Sequence, residues 1–175
     1  MILSLFRKKT ATEPVYAVYN SIVAQSRQPV FYAEWGVPDT VTGRFDMISL
    51  HMALLFRRLR HGPDETRAFS QAVFDLFFKD MDRSLREMGV TDLGVPKKIQ
   101  KMGNLFFGLL AALNAAMDAG DADALAQVLA RNLYDNVVTD DVRALAAYVT
   151  ARDADLAAQP IAAITGGQVH FEVAA

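Results

Sequence analysis

The 175-residue chain has no cysteine, only three histidines and a single tryptophan. The first absence removes thiolate zinc sites, iron–sulfur clusters, cysteine nucleophiles and dithiol redox chemistry together. His51, His61 and His170 form no His-x-x-x-His pair and no cluster with carboxylates at ligand spacing, so no metal or cofactor is expected. There is no Gly-x-Ser-x-Gly elbow, phosphate-binding glycine loop or dinucleotide fingerprint. Asp80 and Asp82, two residues apart on a helix, diverge and cannot share a proton. Nor is there a membrane-spanning run. Met102 to Met117 is uncharged for 16 residues but includes Gly103, Asn104 and Asn114, short of the roughly 20 apolar residues a spanning helix needs. It reads as a buried helix.

What is present is a core-forming composition, 52% hydrophobic and 22% charged, in a chain of single-domain length. The net charge of −2 conceals a division. Residues 1–101 carry 15 Lys and Arg against 11 Asp and Glu, whereas residues 102–175 carry 3 against 9. The near-neutral total argues against a dedicated nucleic-acid partner. The cations cluster as Arg7-Lys8-Lys9, Arg57-Arg58-Arg60 and Lys97-Lys98-Lys101. At the N-terminus, apolar residues precede the basic triplet, the reverse of a secretory signal, so a cytoplasmic location is expected. Leu3, Leu5, Phe6, Arg7, Lys8 and Lys9 are the candidate residues for a transient peripheral contact with the anionic surface of the inner membrane.

The apolar spacing is helical almost throughout. Val15, Val18, Tyr19, Ile22 and Val23 define a helix opening at Pro14 and fading before Pro29. Val30 to Gly43 reads as a turn-rich connection. A second helix runs from about Phe45 to His61 on the face Met47, Ile48, Leu50, Leu54, Leu55 and Leu59, with Arg57, Arg58 and Arg60 on its polar side. Gly62-Pro63 stops it. A long helix from Asp64 to Met88, with a kink expected near Lys79–Asp82, carries two apolar stripes, and Gly89 ends it. Asp82 and Arg86 lie on a third side suited to ion pairs. Pro96 opens the next helix. Asp121–Leu133 and Asp140 to about Asp153 begin with acids, as helix N-termini favour. After Pro160, a turn at Gly166-Gly167 and a short extended piece are expected, since Val169, Phe171 and Val173 alternate. The expectation is an all-α single domain of six or seven helices. It divides into a basic segment 1–13, a helical domain 14–159 and a tail 160–175. His51 is expected to be a hydrogen-bonded helix histidine.

Two polar segments fall outside this core pattern. Phe31-Tyr32-Ala33-Glu34-Trp35-Gly36-Val37-Pro38-Asp39-Thr40-Val41-Thr42-Gly43-Arg44-Phe45-Asp46-Met47 resembles the first signature of the ubiquinol–cytochrome c chaperone family. Asp80 to Met102 resembles that family's acidic, Leu-Arg-Glu-Met-Gly and Val-Pro-Lys elements in order, and Leu50-His51 and Leu54 to Leu59 between them also fit. The resemblance spans about Pro14 to Tyr134. It implies an all-helical, non-enzymatic chaperone that supports assembly of the respiratory cytochrome bc1 complex by acting on newly made cytochrome b. A client surface for such a protein combines apolar contacts with charges that fix register. The candidate contacts are Tyr32, Trp35, Arg44, Arg57, Arg58, Asp80, Asp82, Arg86, Lys97, Lys98 and Lys101. For Arg44, Asp46, Asp80 and Arg86, helix capping or internal ion pairing is the competing role. The alternatives from other classes are a helical enzyme or small-molecule binder with a pocket beside Asp80 and Lys97, and a membrane-surface adaptor acting through residues 1–9.

Overall fold

A computed structural model of the chain describes residues 12–172. It contains α1 (Glu13–Ser26), α2 (Pro29–Ala33), α3 (Val41–Leu59), α4 (Asp64–Glu87), α5 (Gly94–Asp118), α6 (Ala122–Leu133), α7 (Asp140–Ala158) and α8 (Ile161–Thr165). There are six longer helices and two of five residues, with no strand among the described residues. The all-α expectation holds. The connection after Pro29 holds the short α2, because proline suits a first helical turn as well as a break. α3 begins at Val41, ahead of the expected Phe45, since Thr40 caps it by accepting from the Gly43 N–H at 3.1 Å. α4 runs without interruption through the expected kink. Asp121 and Thr139 cap α6 and α7 by accepting from Ala124 and Val142 N–H.

α3 is the axis around which the other long helices pack. All nine residues from Met47 to Leu55 are buried, which no single apolar stripe could produce. α1, α4, α5, α6 and α7 each contact it. This overturns the expected polar face on α3, for the Arg57 side chain is only 13% exposed and bonds to neighbouring helices.

One residue in that buried run is His51. Its Nδ1 lies 2.8 Å from the Met47 carbonyl, which can only accept, so Nδ1 carries the proton. Nε2 is therefore free to accept from the Tyr148 hydroxyl at 2.8 Å. Tyr148 in turn accepts from Gln25 Nε2 at 2.8 Å. Ser26 donates to the Ile22 carbonyl at 2.7 Å and sits 3.1 Å from Nδ1. The imidazole thus ties α1, α3 and α7 together, and every polar group in the cluster is satisfied. Burial pushes His51 down to about 4 and Tyr148 up to about 12.

Asp46, one turn earlier, shows the opposite effect. It has no hydrogen-bond or ion-pair partner among the described residues, so it neither caps nor pairs, and desolvation pushes its carboxyl up to about 7. The hydroxyl of Ser49, on the same helix, is buried without a partner.

Residues 168–172 are extended and alternate in burial as read, yet they pair with no strand. Instead, the Gln159 side-chain amide donates to the His170 carbonyl at 2.8 Å and accepts from its N–H at 2.9 Å.

Two predictions follow from the buried polar groups. Tyr148→Phe strands His51 Nε2 and should lower unfolding free energy by about 1–3 kcal/mol in urea titrations. Unfolded histidine binds a proton below about 6.5 that buried His51 refuses until about 4, so this group makes stability fall as the solution is acidified through that window. Asp46 has the opposite sign, because an unfolded aspartate ionises while the folded carboxyl still holds its proton, so its contribution falls as pH rises from about 4 to 7. The two slopes oppose each other. Asp46→Asn should be more stable than wild type at pH 7 and should lose about 3 kcal/mol between pH 6.5 and 4, whereas wild type changes much less.

Candidate functional site

The order of the helices gathers three connections at one end of the bundle. α4 and α5 are antiparallel, with Phe74 against Phe107 and the Phe78 ring near Gly103. α3 runs alongside α5 and α7, since Arg57 bonds to Asp118 and Asp153 while His51 bonds to Tyr148. α3, α5 and α7 therefore start where α4 and α6 end. The segments 34–40, 88–93 and 134–139 lie at that end, the first and third in contact through the Tyr134 hydroxyl and the Trp35 carbonyl, so both polar segments singled out in the sequence reach the same end.

Much of their chemistry is the chemistry of helix ends. Gly43 is buried in the first turn of α3, where a Cβ would collide with the Pro38 carbonyl. At the end of α4, the Val90 N–H donates to the Leu85 carbonyl and the Gly89 N–H to that of Arg86, with Gly89 at φ 82°. This is a Schellman ending, for which glycine supplies the left-handed conformation. Arg86 adds a clamp by pairing with Asp82 at 2.7 Å and with Asp92 in the following loop. These devices hold apolar side chains out in solvent. Leu93 is 86% exposed, Val41 62% and Val137 59%, and Met88 and Val138 are exposed beside them. Of the eight large hydrophobic residues exposed among the described residues, these five lie at this end. Sequence reasoning missed their role, since an isolated Leu or Val in a loop carries no mark that distinguishes display from burial.

Most of the charged and aromatic candidates gather on or near the same end. Lys97, Lys98 and Lys101, on the first turns of α5, are exposed and have no carboxylate partner among the described residues. Arg44 pairs with Asp39 at 2.8 Å, and their bond raises the guanidinium and lowers the carboxyl. With Arg27 and Tyr32 they line an open groove of about 520 Å³. Tyr32 donates to the Ser26 carbonyl at 2.7 Å, and burial raises its hydroxyl. Trp35 packs edge-on against Phe31 and Tyr148, and its carbonyl accepts from Tyr134. Asp80 lies about two turns along α4 from the end. It accepts from Tyr19 at 2.9 Å and pairs with Arg83 in a second open groove of about 270 Å³. Burial first, and then this bond, raise the Tyr19 hydroxyl.

Arg57 and Arg58 lie elsewhere, near the opposite end. Arg57 donates to Asp153 at 3.0 Å and Asp118 at 2.6 Å, and Arg58 to the carbonyls of Leu156 and Gln159 at 2.8 and 2.7 Å. Asp118 is held well below the usual carboxylate range by Arg60 and then Arg57. These arginines fasten α3 to α5 and α7. Leu3, Leu5, Phe6, Arg7, Lys8 and Lys9 lie outside the described residues. Among the described residues, no helix is long and apolar enough to cross a membrane, and no three His, Asp or Glu side chains converge as a metal site.

The fold is an all-helical bundle with both polar segments reaching one end, and a model of the ubiquinol-cytochrome C chaperone family matches residues 33–171. The chain belongs to that family. The match continues past Tyr134, where the sequence resemblance stopped, through α7, α8 and the extended segment. The chain is similar to a solved structure, the crystal structure of the Cbp3 homolog from Brucella abortus, with 40% identity and a TM-score of 0.85. The alignment covers 98% of this chain and 97% of that one. No match is found among curated proteins.

The placement separates scaffold cations from displayed ones. Arg57→Ala leaves Asp153 without its partner and Asp118 held by Arg60 alone, and should cost about 1–3 kcal/mol by denaturant unfolding. Lys97→Ala, Lys98→Ala and Lys101→Ala should each change stability by less than about 0.5 kcal/mol.

Proposed function

We propose that the chain is an assembly chaperone for the cytochrome bc1 complex and that its client is newly made cytochrome b, held at the end of the bundle to which both signature segments lead. One observation carries the reading: rigidly capped helix ends project Val41, Met88, Leu93, Val137 and Val138 into solvent beside unpaired lysines. A soluble domain gains nothing in its own stability from such display, whereas a client with apolar segments offers surface to cover it. Apolar loop residues supply contact area. Lys97, Lys98 and Lys101 steer encounter, and Arg44, Asp82 and Arg86 restrain register at the rim. Tyr32 frames the groove on the neighbouring flank, Trp35 anchors that segment against Phe31 and Tyr148, and Asp80 shapes the second groove. Arg57 and Arg58 act as scaffold. In this reading the chain carries out no covalent step and needs no cofactor, and a peripheral contact of Leu3 to Lys9 with the inner membrane keeps it near the site of cytochrome b insertion.

A crosslinking pull-down from respiring cells tests this. Wild type should recover cytochrome b. Leu93→Asp/Val137→Asp and Arg44→Glu/Arg86→Glu/Lys97→Glu should each recover at least about tenfold less while keeping their helical circular dichroism. Undiminished recovery with both variants would remove the client from this end, and normal bc1 levels in cells lacking the protein would remove the assembly role.

A further inference from the structure

The extended segment after Gly167 is seated in an unusual way. Among the described residues, positions 169–172 make no backbone-to-backbone hydrogen bond to the rest of the chain. Three side chains hold them instead. Gln159 reads both the carbonyl and the N–H of His170, as a neighbouring β-strand would. Gln25 donates to the Glu172 carbonyl at 2.9 Å, and Arg152 donates to the same carbonyl at 3.1 Å. The hydrogen bonds recognise main chain and so are indifferent to sequence; one side-chain contact accompanies them, the Arg152 guanidinium pairing with the Glu172 carboxylate at 3.6 Å. The side chains alternate as on a strand. Val169 is buried, the Phe171 ring stands edge-on to His51 at 5.7 Å, and His170 and Glu172 face solvent. Beside the segment, an open groove of about 280 Å³ continues along α1.

A trough with main-chain readers on its walls and apolar seats at alternate positions has the recognition chemistry of β-strand capture. We propose that this trough between α1 and α7 is a binding site for an extended peptide with apolar side chains at alternate positions, and that residues 168–172 occupy it when no such peptide is present. The readers Gln25, Arg152 and Gln159 belong to the helices or their ends, so the site persists when the segment leaves. An incoming peptide needs an apolar residue where Val169 sits and an aromatic one where Phe171 meets His51. The inference stands on this segment alone and not on the identity of the client at the bundle end, so either can fail without the other.

Fluorescence anisotropy with a labelled synthetic peptide of residues 166–175 tests it on full-length protein. In Val169→Ala/Phe171→Ala the internal segment competes poorly, and this variant should bind the peptide at least about tenfold more tightly than wild type. A peptide carrying Phe171→Ala should not saturate. Equal affinity for the two proteins, or no saturable binding to either, overturns the proposal. Hydrogen exchange on the wild type gives a reading that does not depend on the variant folding. The His170 amide should exchange at least about 100-fold faster than the amides of Met47 to Leu55, by local opening. Equal protection would make the segment an integral part of the core and overturn the proposal as well.

Discussion

A single unprotonated nitrogen holds the middle of this protein together. His51 accepts from Tyr148 through Nε2 only because its proton sits on the other nitrogen, whose N–H donates to the Met47 carbonyl. That arrangement fixes the register of α7 against α3, and through Gln25 and Ser26 it fixes α1 as well. Helix packing by apolar side chains alone tolerates small slides and rotations; a chain of hydrogen bonds in a water-free interior does not. The aromatic ring of Phe31 closes over the same cluster at 5.7 Å from His51 and 5.1 Å from Tyr148. The segment leading to Trp35 is therefore anchored to the same point. The geometry of the distant bundle end inherits its precision from this interior.

Division of labour between helix and connection is the second organising fact. The helices carry the core, and the connections carry exposed apolar side chains held by caps, a left-handed glycine and the Arg86 clamp. Polar residues in the signature segments that look like binding residues turn out in part to be the fasteners of the display. Thr40 and Gly43 set how α3 starts, and Gly89 sets how α4 stops. All three lie within the residues that the family model matches.

The helices were largely legible in the sequence because their ends carry their own chemistry. Asp121 and Gly62-Pro63 mark boundaries by local hydrogen bonding or by stopping a helix, and these were read within a few residues. The start of α3 was missed because threonine and glycine signal turns as strongly as caps, and α2 because Pro29 breaks one helix while opening another. Long-range facts were not available in that way. His51 and Tyr148 are 97 positions apart, so the histidine could be expected to bond without its partner being nameable. Arg57 looked solvated on a helical wheel, but α5 and α7 close over it from far along the chain. The exposure of Leu93 and Val137 depends on what fails to cover them, which no local pattern encodes.

The uneven charge of the two halves of the chain acquires a spatial meaning at the bundle end. Lys97, Lys98 and Lys101 stand on α5, while Asp135, Asp140 and Asp141 are exposed around the start of α7. α3 and α6 separate these two helices, each of which packs against both. The exposed apolar residues thus have cations on one flank and carboxylates on the other. A segment lying across that end meets an electric polarity as well as a greasy surface. The two orientations of a charged segment across it, head-to-tail and tail-to-head, would differ in energy.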